Sequence, residues 1–262
     1  MFYPGEPQEL RNLVEDLLAE VHATAAPAVA AIVPHAGLVY SGSCAAEVFK
    51  RLQLCSTVVI LAPNHTGVLG ARSGASTWRS GTFQTPLGDI AIADEFVSAL
   101  CDACPLVVHD PMAHAREHAI EVELPFLSLL APDSDLVPIV LAWDDWDRCR
   151  QLGEALAGVI REWHKPISLV ASSDMTHYET AESAARKDRI ALDRIVQLDG
   201  EGLLKVCHQH NITMCGRGPA AVVLEAARLL GAEQAEVVDY RNSGWVTGDD
   251  SQVVAYAGVV IR

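Results

Sequence analysis

The chain carries no long apolar run. Its most apolar stretch near the N-terminus, residues 23–33, is interrupted by Pro27 and falls short of the roughly 18 continuous apolar residues that a membrane-spanning helix needs. The opening Met1-Phe2-Tyr3-Pro4-Gly5-Glu6 lacks a basic start followed by an apolar core, so no signal peptide is expected. Basic charge is scarce too. There are 19 Lys and Arg against 34 Asp and Glu, for a net charge of −15. Such a surface repels phosphate backbones and anionic headgroups, which argues against nucleic acid and membrane partners. The seven cysteines are odd in number and irregularly spaced. Reduced thiols in the cytoplasm are the expectation.

Several motifs are missing as well. There is no His-Glu-x-x-His zinc helix, and no Gly-x-Ser-x-Gly elbow. Cys101-x-x-Cys104 has no second pair and is read as incidental. Gly216-Arg217-Gly218 is able to cradle an anion at a helix start, but no strand-linked phosphate fingerprint precedes it. No linker, low-complexity tract or repeat divides the chain, so one domain over residues 1–262 is expected.

What is present is a regular alternation. Residues 8–21 read as an amphipathic helix with Leu10, Leu13, Val14, Leu17 and Leu18 on one stripe. Residues 28–34 form a short apolar strand, and Ser41 is placed to cap a helix reaching about residue 52. Residues 57–62 (TVVILA) are apolar on both faces, as in a central parallel strand. Short strands and turns are expected over 70–92 and strands at 136–142, 167–171, 235–240 and 252–261. Helices are expected at 94–102, 119–130, 146–163, 181–198, 202–210 and 219–230. Strands separated by helices predict a single-domain α/β/α sandwich around a mainly parallel or mixed sheet.

The chemically able residues follow the strands. His35 comes just after 28–34, His65 just after 57–62, and Asp174 and His177 just after 167–171. In open α/β sheets, ligands bind in the crevice beyond the carboxyl ends of strands. Three strands thus deliver imidazoles to one edge, although a lone histidine after a strand is ordinarily a hydrogen-bonded surface or core residue. Cys215 precedes a helix start, where the dipole favours thiolate, the form that binds metal or attacks electrophiles. Its plainer reading is a small buried residue before a turn. Glu117, His118 and Glu121 fall within one turn of another helix start. His118 is a candidate for a supporting role at the pocket, against the plainer reading of a solvated helix start. His114 is four residues before it, but Pro111 argues against a helix there.

A series of short blocks in order resembles the Memo family. They are Phe2-Tyr3-Pro4-Gly5, Pro34-His35-Ala36-Gly37 with Tyr40-Ser41-Gly42, Pro63-Asn64-His65, and Thr85-Pro86-Leu87-Gly88. Glu117-His118 running to Leu124-Pro125-Phe126, Ser172-Ser173-Asp174 with His177-Tyr178, Cys215-Gly216, and Gly248-Asp249 to Tyr256-Ala257 complete it. The resemblance implies a fold similar to class III extradiol dioxygenases, which are non-haem iron enzymes. It implies a metal pocket of two histidines and a cysteine, matching His35, His65 and Cys215, with Asp174 and His177 beside it. It also implies a radical SAM protein as a partner. The Pro63-Asn64-His65-Thr66 form departs from relatives with two adjacent histidines and so has one donor fewer.

Two imidazoles and a thiolate make a soft site with open positions. The leading expectation is a metal-dependent, dioxygenase-like oxidoreductase using iron or copper, with zinc also possible. His177 or His118 would move protons and Asp174 would orient one of them or serve as a ligand. The alternatives are a non-catalytic metal carrier or interaction protein, and a metal-free hydrolase with Cys215 as nucleophile and His177 as base. The last leaves His35 and His65 unused.

Overall fold

The alternation of apolar runs and amphipathic segments becomes an α/β/α sandwich in the computed structural model, which describes residues 2–67 and 74–262. Helix α1 (Pro7–Ala19) turns Leu10, Val14 and Leu18 inward. Strand β1 (Ala30–Val33), helix α2 (Leu38–Phe49) and strand β2 (Thr57–Pro63) follow. Short strands β3 (Ala75–Thr77), β4 (Thr82–Thr85) and β5 (Gly88–Ala91) lead to α3 (Asp94–Ala103), β6 (Val107–His109) and the single turn α4 (Pro111–His114). After a 3₁₀ turn at Glu121–Glu123 come α5 (Leu124–Leu130), β7 (Asp135–Leu141), α6 (Trp146–Glu162), β8 (Ile167–Ser172) and β9 (His177–Glu179). The chain closes with α7 (Ala181–Val196), α8 (Gly200–Gln209), α9 (Arg217–Leu229), β10 (Ala235–Asn242), the short α10 (Gly244–Thr247) and β11 (Val253–Ile261).

The main sheet runs β10-β11-β1-β8-β2-β7-β3-β6, with β9 pairing on β11. Its centre, β1-β8-β2-β7, is parallel. The contacts β1/β11, β10/β11 and β3/β7 are antiparallel. The sheet is therefore mixed around a parallel middle. Every residue of β2 is buried, as expected for a strand covered on both faces. Pro138 sits inside β7, yet the β3 pairing stops at Ile139, so its missing N–H interrupts no ladder on that side. Helix α9, flanked by α6 and α8, covers β1, β2 and β8 on one face, while α2 backed by α1 and α5 covers the other. Among the described residues no helix is long and apolar enough to cross a membrane.

Three local expectations need correction. Ser41 does not cap α2. That helix starts at Leu38 after Gly37, and the Ser41 hydroxyl donates to the Ala36 carbonyl from within the first turn. The segment after His118 reaches helix only at Leu124, through a turn and a 3₁₀ stretch. Pro111 opens a helical turn instead of preventing one: proline suits the first position, where its absent N–H is not needed. The early part of the expected 70–92 region, residues 70–73, lies outside the described residues.

Candidate metal centre

Strands β1 and β2 both flank β8 and run parallel to it, so their carboxyl ends open on the same edge. Two residues beyond each strand stand His35 and His65, whose rings meet edge to face at 5.1 Å. His118 arrives from the loop after α4 and stacks on His65 at 4.8 Å. The three histidines each offer a ring nitrogen, and these nitrogens all lie within 4.8 Å of one another. His35 is 1% exposed, and the cluster opens outward through His118 to His65. Phe2 stacks on the ring of His118, nearly parallel to it at 4.1 Å. That stack is held by the Leu38 N–H donating to the Phe2 carbonyl and by the Tyr3 hydroxyl donating to Glu121 at 2.6 Å.

Each ring is oriented from behind. His35 Nδ1 lies 2.7 Å from Ser172 Oγ at the end of β8. His65 Nδ1 donates to Glu117 Oε1 at 2.8 Å. Glu117 also accepts the backbone N–H groups of His65, His118 and Ala119, so one buried carboxylate joins two loops and two imidazoles. Burial pulls its pKa up, but the hydrogen bonds and charge of His65 more than reverse this and leave it below the ordinary glutamate value. With Nδ1 engaged in His35 and His65, Nε2 is the atom each has left for an ion. Histidine ligands are characteristically backed in this way. Burial first, then the neighbouring imidazoles, lowers the His35 pKa well below its usual value. Burial also lowers that of His118, against the pull of Glu117. Both rings are thereby kept neutral, which is the state a metal requires. The residues fit a metal ion.

Cys215 borders this group of three. Its Sγ is 3.3 Å from His35 Nε2 and accepts the Asp174 N–H at 3.3 Å. The loop is hung from β8 by the Gly216 N–H donating to Ser173 Oγ. Without a cation, the thiolate that the helix start was expected to favour is opposed here. Burial, reinforced by the charge of Asp174, drives the thiol pKa far above its usual value, against smaller contributions from local hydrogen bonds. Only a cation at the site would reverse that balance.

Asp174 accepts the backbone N–H groups of His35 and Ala36 through Oδ1, at 2.9 and 3.2 Å. It therefore fixes the loop that carries His35. Burial raises its pKa to about 6, opposed by His177 and by those two N–H groups. His177 sits farther along the edge, donating its backbone N–H to Thr213 Oγ1 and its Nδ1–H to the Thr213 carbonyl. It is not among the three clustered imidazoles. A cavity of about 380 Å³ lies beside Cys215, walled by Asn64, Leu141, Trp143, Thr213 and Arg217. The guanidinium of Arg217 is engaged by Asp144 at 2.5 Å.

Comparisons with known proteins show the family. The family model described as Memo-like protein matches residues 1–260. The chain belongs to the Memo family. It is 40% identical over 274 residues to a MEMO1 family protein of Methanopyrus kandleri, covering all of this chain and 96% of the relative. It is equally similar to one of Aquifex aeolicus, over 99% and 95% of the two chains. An uncharacterized protein of Escherichia coli K12 shares the fold at a TM-score of 0.55 and 13% identity, over 89% of this chain and 100% of that one. The residues that sequence reasoning passed over in this Memo protein are Glu117 as the anchor of His65, Ser172 as that of His35, and Glu123 behind Ser172. The blocks Glu117-His118 and Ser172-Ser173-Asp174 contained two of them, but nothing local distinguishes a buttress from a ligand.

Proposed function

We propose that this Memo protein is a metal-dependent redox enzyme with one iron or copper ion at the His35–His65 cluster. The observation that carries this reading is the convergence of three imidazoles whose rear nitrogens, for His35 and His65, are already committed to Ser172 and Glu117. Such a set turns its ring nitrogens toward a common ion, and burial keeps His35 and His118 in the neutral form that binds one. His35, His65 and His118 are the nitrogen donors, and Cys215 is the soft donor that joins once its proton is lost. A mixed nitrogen and sulfur set favours copper or iron over hard cations. The bound ion supplies electron transfer and Lewis acidity.

The chain supplies the rest. Asp174 holds the His35 loop. His177 has its Nδ1–H occupied by Thr213, which leaves Nε2 as an acceptor for a proton at the pocket. The cavity beside Cys215 has the volume of a small-molecule site, and the net charge of −15 disfavours polyanionic substrates.

The test is metal analysis of protein purified without added metal, followed by oxygen uptake with the iron- or copper-loaded protein and small reductants. One equivalent of metal in the wild type, lost in His35→Ala, together with oxygen consumption, is the expected result. A wild type that takes up neither metal would overturn the reading. A loaded protein without turnover would leave a carrier.

A further inference from the structure

Ser172 is fully buried at the end of β8 with three polar neighbours around one hydroxyl. His35 Nδ1 lies at 2.7 Å, the Ala119 carbonyl at 2.8 Å and Glu123 Oε1 at 2.7 Å. A serine hydroxyl has one hydrogen and two lone pairs. The Ala119 carbonyl can only accept, so that hydrogen goes to it. The two remaining neighbours must then donate to Oγ, His35 through Nδ1–H and Glu123 through a carboxylic O–H. An ionised Glu123 would face Oγ across 2.7 Å with no proton between them.

A second observation agrees. Glu123 is completely buried, and its Oε2 has no hydrogen-bond partner. A carbonyl oxygen of a neutral acid tolerates that isolation far better than an oxygen sharing a full charge. Burial, with the charge of Asp174, holds the Glu123 pKa well above the ordinary glutamate value, although the Ser172 contact pulls the other way.

We infer that Glu123 is a neutral buried acid which, acting through Ser172, locks His35 as its Nδ1–H tautomer and so presents the Nε2 lone pair to the cluster. Glu123 is thus a positioning residue. Its purpose rests on the metal reading above, but the protonation pattern does not. His35 and His65 are backed differently as a result. His65 has an anion behind it in Glu117, while His35 has a neutral chain that orients it without adding charge to a buried site.

The test uses ring nitrogen–proton correlation NMR on the whole metal-free chain with labelled histidine, and chelator competition for zinc and copper(I). In the wild type, His35 is expected to carry its proton on Nδ1. Glu123→Gln, whose amide N–H replaces the acid O–H, is expected to keep that tautomer and the wild-type affinity. Glu123→Leu and Ser172→Ala are expected to give mixed tautomers and to weaken metal binding by about 10- to 100-fold. A packing role alone would make Leu at least as good as Gln. A wild-type His35 protonated on Nε2, or a Leu variant unchanged in both readouts, would overturn the inference. Should Glu123→Leu fail to fold, the wild-type tautomer and the Gln variant decide. A wild type that binds no metal sinks the metal reading and leaves the tautomer result standing.

Discussion

His35 Nε2 and Cys215 Sγ, 180 positions apart in the chain, lie 3.3 Å from each other. The thiol is protonated in the absence of a cation, because burial and Asp174 oppose its charge. Metal uptake must therefore release a proton from Cys215 if sulfur joins the donor set. Cys215→Ser is expected to keep one equivalent of metal through the imidazoles. It should abolish the near-ultraviolet thiolate-to-metal band of the cobalt form and weaken copper(I) binding by at least about tenfold. Absorption spectra and competition titrations check this. A cobalt spectrum identical to that of the wild type would exclude sulfur ligation.

Glu117 is the anionic counterpart behind His65, and it also stitches the His65 loop to the His118 loop. Glu117→Ala should lower metal affinity by roughly 10- to 100-fold, and Glu117→Gln by less, since the amide oxygen still accepts a hydrogen bond. Chelator competition gives the ranking. Equal affinities for Ala and wild type would remove Glu117 from the site.

Gly216 is needed for space. A Cβ there would come within 2.4 Å of the Ser172 carbonyl oxygen and 2.5 Å of Ser173 Cβ, both on the strand end that also anchors His35. Neither neighbour is a flexible tip. Gly216→Ala should therefore destabilise the protein by about 1–3 kcal/mol and push Cys215 off His35. Urea denaturation measures the first effect and the cobalt spectrum the second.

His114 makes the fold acid-sensitive. Burial lowers its pKa from 6.5 to about 4, against the pull of the Ser76 backbone, Asp110 and Glu117. Between those values the unfolded chain binds a proton that the folded chain refuses. Stability therefore falls as the pH drops from about 6.5 to 4, by up to ~3 kcal/mol from this group. His114→Gln should flatten the slope of unfolding free energy against pH across that window. An unchanged slope would place the acid sensitivity elsewhere.

The sandwich was legible from local pattern. Both-face apolar runs such as residues 57–62 lie close to their expected limits, as β2 does at Thr57–Pro63. The periodic stripe of residues 8–21 became α1. Solvent exclusion acts on such stretches residue by residue, so the alternation of hydrophobicity carries the element type and the covered sheet. The strand-end positions of His35 and His65 also followed, because parallel strands bring their carboxyl ends to one edge.

What the linear order left undecided was which groups stand behind the ligands, and in what charge state. Glu117 and Glu123 are six residues apart and of one residue type, yet one meets an imidazole and three N–H groups and stays ionised, while the other meets a single hydroxyl in a dry interior. Cys215 likewise looked like a thiolate beside a helix start, until its neighbours turned out to be burial and Asp174. Element type depends on nearby residues in the chain. Protonation depends on how much water and which groups reach an atom, and for Cys215 those groups come from segments 41 and 180 positions away.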